Sequence, residues 1–162
     1  MSNYKLSIVA AVYNLEKYLP RCLDALVNQT LQEIEILCVD DGSTDSAPQI
    51  IDEYAKKYPD KVKAFHKPNG GEFTTRNYGL ERATGEYVTF VDTDDQVELT
   101  WAEKLYNAAK QNEADLAVCG FERIDLNTNK VVSTNMTNFG QTVKEINSKD
   151  DFTLFINPAP WN

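Results

Sequence analysis

The segment Leu6 to Val12 is an apolar run broken only by Ser7. A strand that is apolar at almost every position must be buried on both faces, and a parallel sheet covered by helices provides that environment. The residues that follow change period. Leu15, Tyr18, Leu19, Cys22, Leu23 and Leu26 recur at helical spacing, with Asn14 available as the cap. Ile34 to Val39 reads as a second strand, and Ala47, Ile50, Ile51, Tyr54, Ala55 and Tyr58 form a second helical stripe that Pro59 ends. A short strand Val62 to Phe65, a helix Thr74 to Ala83, and a strand Tyr87 to Val91 entered through Thr84-Gly85 continue the alternation. Trp101, Leu105, Ala108 and Ala109 mark a further helix, and Leu116 to Phe121 a further strand. Alternating strands and helices predict an α/β fold, a mainly parallel sheet with helices on both faces and right-handed crossovers.

Beyond Phe121 the pattern changes. Arg123 to Leu126 and Lys130 to Ser133 flank Asn127-Thr128-Asn129 and read as a hairpin. Asn135 to Thr142 reads as a polar loop, and Ser148 caps an expected short helix with Asp151 in its first turn. With 162 residues and no linker or repeat, one domain spanning 1–162 is expected. Its core alternation covers 1–121, and the hairpin, loop and short helix cover 122–162.

Charge narrows the partners. There are 16 Lys+Arg against 25 Asp+Glu, a net charge of −9. That argues against a basic face for nucleic acid or an anionic membrane. A single His removes HExxH proteases and paired-His iron centres. Cys22, Cys38 and Cys119 are scattered through apolar segments, which suggests reduced, packed thiols in a cytoplasmic protein. The first apolar run is too short to span a bilayer and has no signal-peptide cleavage site.

Ligands of open parallel sheets bind beyond the carboxyl ends of the strands, at the switch point of strand order. Those ends carry Tyr13-Asn14, then Asp40-Asp41-Gly42-Ser43-Thr44-Asp45, then Lys67-Pro68-Asn69-Gly70-Gly71, then Asp92-Thr93-Asp94-Asp95. Two acidic clusters and a Gly-Gly turn would converge on one edge. Oxygen donors without His suit a hard cation, Mg²⁺ or Mn²⁺. No GxGxxG follows the first strand and no GxxxxGK[ST] occurs anywhere, so neither a dinucleotide cradle nor a P-loop is present.

These segments resemble a known family. Ser7 to Asn14, Val39 to Asp45, Asn69-Gly70-Gly71 with Arg76-Asn77, and Ala83 to Tyr87 leading to Asp92-Thr93-Asp94-Asp95 are similar to the opening of a family 2 glycosyltransferase of the Rossmann-like GT-A fold. The resemblance covers roughly Leu6 to Phe121, with a weaker echo in Asn157 to Asn162. It implies inverting transfer of a hexose or N-acetylhexosamine from a metal-bound UDP-sugar to a glycan or lipid-linked glycan at the cell surface. It also implies that Asp40 accepts the uracil N3–H and that Tyr13 stacks on the base beside Ala11. Asp92 would stand near ribose and metal, Asp94 would bind Mn²⁺ or Mg²⁺, and Arg76 would contact phosphate or base. Asn14, Gly71 and Thr93 complete the implied nucleotide-sugar site.

There are departures from the family pattern. Ala11 stands where a Pro is usual, and Thr75 brings a hydroxyl where a small Ala is usual. Family members continue beyond the final Trp-Asn into the acceptor site and catalytic base, so the resemblance implies a chain truncated at its C-terminus that binds donor without catalysing transfer. No catalytic residue is assigned within the chain. Apolar residues Phe152, Phe155, Ile156 and Trp161 would then favour a homodimer, and association with the inner face of the membrane would come through the absent part. Two alternatives stand beside this reading: a non-catalytic nucleotide-binding or scaffold domain, and a sugar nucleotidyltransferase, against which the absent Gly-rich loop weighs.

Overall fold

In a computed structural model, the described residues are 4–125, 128 and 130–135. Strands β1 (Leu6–Val12), β2 (Ile34–Asp40), β3 (Val62–His66) and β4 (Tyr87–Asp92) form one parallel sheet in the order β3-β2-β1-β4. Helices α1 (Leu19–Val27) and α2 (Ala47–Lys57) carry the chain outward from β1 to β3. Helix α3 (Glu72–Leu80) then brings it back across the sheet to β4, and α4 (Trp101–Gln111) follows. The order therefore reverses between β1 and β4, which makes the carboxyl ends of those two strands the switch point.

The sheet is buried from both sides, as the continuous apolar strands require. Leu6, Ile8, Ala10 and Val12 of β1 and Ile34, Ile36 and Cys38 of β2 pack with Leu19, Leu23 and Leu26 of α1, Ile51 of α2 and Ala102 of α4. Val9, Leu37 and Val39 alternate onto the opposite face and are equally buried. There α3 packs so closely that a Cβ on Gly79 would collide with the Val9 side chain. Pro20 and Pro48 stand in the first turns of α1 and α2, where a missing N–H is harmless.

Several boundaries differ from expectation. Helix α1 starts at Leu19, not after an Asn14 cap. Asn14 has φ +52°, and its Oδ1 accepts from the Thr44 N–H at 2.8 Å, so it ties the β1 end to the β2–α2 loop. Helix α3 begins two residues earlier than expected, after Gly71 at φ +84°. Just before α2, Asp45 Oδ1 accepts from the Ala47 N–H at 3.0 Å, one residue upstream of the Ser46 N-cap. Leu116 to Phe121 is not a strand: 116–120 lack regular structure, and Leu116 and Val118 are exposed. An apolar run becomes a strand only where its backbone finds a ladder partner. Among the described residues, the partner pairing is instead an antiparallel hairpin of β5 (Phe121–Asp125) and β6 (Lys130–Asn135), as the turn residues predict. Cys22 and Cys38 are buried as expected, with burial as the largest cause pushing both thiols up to about 12; Cys119 is exposed. The polar loop was expected from Asn135, which instead ends β6; its remainder to Thr142, the Ser148 helix and the apolar residues from Phe152 onward lie outside the described residues.

Candidate functional site

Opposite the strand ends, one buried cluster shows how the sheet is pinned. Glu35 is fully buried, and its Oε1 accepts from the Ser7 hydroxyl at 2.6 Å and from the Thr84 N–H at 2.6 Å. Its Oε2 accepts from Lys63 Nζ at 2.6 Å. Burial raises the carboxyl, but Lys63, Ser7 and Thr84 outweigh it and leave the group below its ordinary value. The Thr84-Gly85 turn is thereby docked onto β1 and β2, which fixes where β4 starts and so where its carboxyl end lies.

At the other end, a cavity of about 500 Å³ opens at the switch point. Ala11 and Tyr13 come to it from β1, Gly71 from the turn before α3, and Asp92, Thr93 and Asp94 from β4. In the parallel register Ala11 faces Asp92, and the buried Thr93 hydroxyl donates to the Ala11 carbonyl at 3.0 Å. Those six sequence-predicted residues share one space. Tyr13 is half exposed, at 50%.

Three predicted residues stand outside the lining. Asn14 serves the neighbouring loop. Arg76 donates to Asp92 Oδ1 at 2.5 Å and pairs with Glu72 at 2.7 Å, so it stands behind the acidic edge. Asp40 is buried, and it turns to the α2 side of the sheet. Its Oδ1 accepts from the Ser43 N–H at 3.0 Å, and its Oδ2 lies 3.3 Å from His66 Nδ1. His66 Nε2 in turn lies 3.0 Å from Asp52 on α2. Burial lowers the imidazole, but Asp52 and Asp40 more than compensate and hold it above its ordinary value.

The next residue, Asp41, lines the cavity instead. Successive residues at a strand end point to opposite faces, so a shift of one position separates the two carboxylates. Asp41 Oδ1 accepts from Lys67 Nζ and from the Gly70 N–H, and Oδ2 accepts from the Gly71 N–H. Leu15, Asn69, Glu72 and Thr75 also line the space and were not singled out as site residues by sequence reasoning. The alternation of strand faces was the available signal for Asp41; for Thr75 the signal was the added hydroxyl noted as a departure from the family pattern, but not where it would bond.

No group of three or more His, Cys, Asp and Glu side chains able to hold an ion occurs among the described residues. Asp92 and Asp94 nonetheless fit a hard cation, since Mg²⁺ is commonly held by one or two carboxylates with substrate phosphates completing the shell. Arg21 on α1 braces that loop, donating to the Asp94 carbonyl at 3.2 Å. Asp95 is held above its ordinary value by burial first, then by Asp94 and Asp92. A second depression, about 590 Å³, lies between α1 and Gln96–Leu99; it lacks the carboxylate cluster and glycine turn of the strand ends.

Comparison with known proteins agrees with this architecture. The family model described as glycosyl transferase family 2 matches residues 7–160. The chain is 36% identical over 163 residues to the putative glycosyltransferase EpsH of Bacillus subtilis (strain 168), covering 100% of this chain and 47% of that protein. Among solved structures, S. aureus TarS 1-349 in complex with UDP-GlcNAc superposes with a TM-score of 0.60 at 34% identity, covering 67% of this chain and 32% of that one. The mannosyltransferase PcManGT of Pyrobaculum calidifontis, in complex with GDP-Man and Mn²⁺, gives a TM-score of 0.60 at 26% identity, covering 74% and 36%. The chain spans less than half the length of these proteins. With a parallel sheet reversing at β1 and β4, acidic loops at that reversal and a family match over nearly its full length, the chain belongs to glycosyltransferase family 2, with the GT-A type of fold.

Proposed function

We propose that the cavity binds the nucleoside diphosphate of a UDP-sugar together with Mn²⁺ or Mg²⁺, as the donor half of an inverting hexose or N-acetylhexosamine transfer to a cell-surface glycan hydroxyl. One observation carries this reading: Tyr13, Asp41, Asp92 and Asp94 line a single space at the switch point. The UDP-GlcNAc complex of TarS and the GDP-Man and Mn²⁺ complex of PcManGT support the ligand class.

The chain's own residues divide the work. The exposed ring of Tyr13 stacks on the base. Asp41, rather than Asp40, accepts the imide N3–H, because Asp41 lines the cavity and Asp40 is engaged by Ser43 and His66. Asp94 and Asp92 would hold the cation, which would offset charge on the departing diphosphate. Arg76, which bonds Asp92 Oδ1, would contact phosphate or base. Glu72 on the cavity wall adds to the negative field that the cation and Arg76 must counter.

Calorimetry with UDP, TDP, CDP and GDP, each with Mn²⁺ and with EDTA, tests the reading. UDP and TDP share the imide N–H and should bind more tightly than CDP by about tenfold, the value of one hydrogen bond to a charged group. Equal affinities for UDP and CDP would remove the base-reading role from this cavity.

A further inference from the structure

The turn that joins β3 to α3 contains an ammonium group that the donor-binding reading leaves without a task. Lys67 directly follows β3, its N–H donating to the Asp40 carbonyl at 3.0 Å, and its side chain is only 14% exposed. Its Nζ donates to Asp41 Oδ1, to the Pro68 carbonyl at 3.0 Å and to Thr75 Oγ1 at 3.3 Å. All three ammonium protons are thus engaged. Thr75 is almost fully buried, and its hydroxyl donates to the Gly71 carbonyl at 2.9 Å. Asp41 binds the same turn from the other side through the Gly70 and Gly71 N–H groups, each at 2.9 Å. An ionised carboxylate offers about four acceptor positions. Lys67 and the Gly70 amide bond Oδ1 and the Gly71 amide bonds Oδ2, and the Thr75 hydroxyl stands against the same carboxylate, so at most one acceptor position is left, on Oδ2, in a residue that lines the cavity.

We propose that Lys67 and Thr75 are positioning residues for base selection, clamping Asp41 as an ionised carboxylate with one free acceptor position toward the base. The proposal rests on the reading of the cavity as a nucleotide site. One acceptor position suits the single N3–H of uracil and finds no proton on N3 of cytosine. Protonation of Asp41 would reverse this, because a carboxylic O–H could donate to cytosine N3. Burial by itself favours that protonated form; Lys67 foremost, then the Gly70 amide, Thr75 and the Gly71 amide, overcome it and hold the carboxyl below its ordinary value. The other charged groups nearby are Asp40 with His66 at the β2 and β3 ends, Glu72 and Arg76 on α3, Asp92 at the end of β4 and Asp94 just after it. Of these, Glu72, Asp92 and Asp94 share the cavity and would raise Asp41, which leaves Lys67 as the cation that bonds it directly.

The test is calorimetry of UDP and CDP in Mg²⁺ across roughly pH 5 to 8, on the parent chain, Lys67→Met, Thr75→Val, Thr75→Ser and Asp41→Asn. The parent should prefer UDP by about tenfold throughout. In Lys67→Met the preference should shrink toward parity as the solution is acidified and recover partly toward neutrality. Thr75→Ser should match the parent and Thr75→Val should lie between. A merely structural clamp would lower the melting temperature without making the UDP-to-CDP ratio depend on pH. If Lys67→Met keeps the preference at every pH while Asp41→Asn loses it, the positioning role is overturned and the base pocket stands. If Asp41→Asn keeps the preference, the nucleotide reading of the cavity fails, and this proposal with it. Should Lys67→Met not fold, the threonine pair decides: Val equal to the parent overturns the proposal, and Val impaired with Ser restored supports it.

Discussion

Asp92 and Asp94 stand two residues apart, yet they differ in what surrounds them. Asp92 is bonded by Arg76, whereas the Asp94 loop is held through its main-chain carbonyl by Arg21, which leaves its carboxylate unconstrained by that contact. Asp94→Asn should therefore weaken metal-dependent UDP binding by at least about tenfold, the low end of what even outer-shell changes cost a metal site. Asp95→Asn should weaken it less. Without ligand, the Asp94→Asn melting temperature should hold or rise, since repulsion with Asp92 and Asp95 is relieved. Greater damage from Asp95→Asn would exchange the two roles. Sequence alone reached loops that line the cavity, because acidic residues after apolar strands are visible as text. It assigned the base-reading role to Asp40, whereas Asp41 is the one that lines the cavity, since that depends on which face of the sheet each side chain takes. It could not see that the Thr75 hydroxyl would bridge Lys67 and the Gly71 carbonyl.

Titration at single residues also sets a signed dependence on pH. Glu35 sits below its ordinary value of 4.5, so its contribution to stability is present above that value and is lost as pH falls through the folded-state value. His66 sits above 6.5, so its contribution is present below 6.5 and is lost as pH rises through its folded-state value. Glu35→Gln should flatten the acid limb of the melting temperature against pH and cost about 1–3 kcal/mol near neutrality, through lost bonds to a charged acceptor. His66→Gln should leave that limb alone and flatten the alkaline one. Parallel pH curves for the parent and Glu35→Gln in acid would contradict the assignment.

At the scale of elements, the apolar strands were legible almost to the residue, since burial on both faces leaves an uninterrupted run. Helix starts were less legible. The stripe from Leu15 suggested a helix four residues too early because Leu15 to Tyr18 forms a turn before the helix, with Tyr18 and Leu19 N–H both donating to the Leu15 carbonyl. The mistaken strand at Leu116 to Phe121 shows the converse: apolar content without a ladder partner. The turn before β4 is the most exacting connection. A Cβ on Gly85 would fall 2.6 Å from the Ser7 backbone nitrogen and 2.8 Å from the Leu6 carbonyl carbon, atoms that cannot move without disturbing β1. Gly85→Ala should cost about 1–3 kcal/mol or more and shift the β4 end that carries Asp92. Gly79→Ala meets a side chain, Val9, and should cost less in ligand binding for a comparable loss of stability. Denaturant midpoints and UDP affinity measured on both variants separate the two effects; equal loss of affinity in each would deny that the Gly85 turn sets the position of the β4 end.

For the molecule as a whole, charge poses the question that a cation answers. The chain carries −9, and Asp41, Glu72, Asp92 and Asp94 all line the cavity. A diphosphate approaching this wall meets like charge at short range. The basic groups beside it are already committed: Arg76 to Asp92 and Glu72, and Lys67 to Asp41. Repulsion between charges a few ångströms apart near a protein surface amounts to a few kcal/mol, enough to erase binding that stacking on Tyr13 and one hydrogen bond would supply. UDP affinity should therefore fall at least about tenfold in EDTA relative to Mn²⁺ or Mg²⁺. Raising salt should act in opposite directions: in EDTA it screens the repulsion and strengthens UDP binding, while with the divalent ion it screens the attraction and weakens it. Uridine, which has the base but no phosphate, should bind equally with and without the cation. UDP titrations in the two buffers at low and high salt, with uridine as the control, measure all three. UDP binding that is indifferent to EDTA would mean that the carboxylates at the β4 end do not hold a cation against the diphosphate.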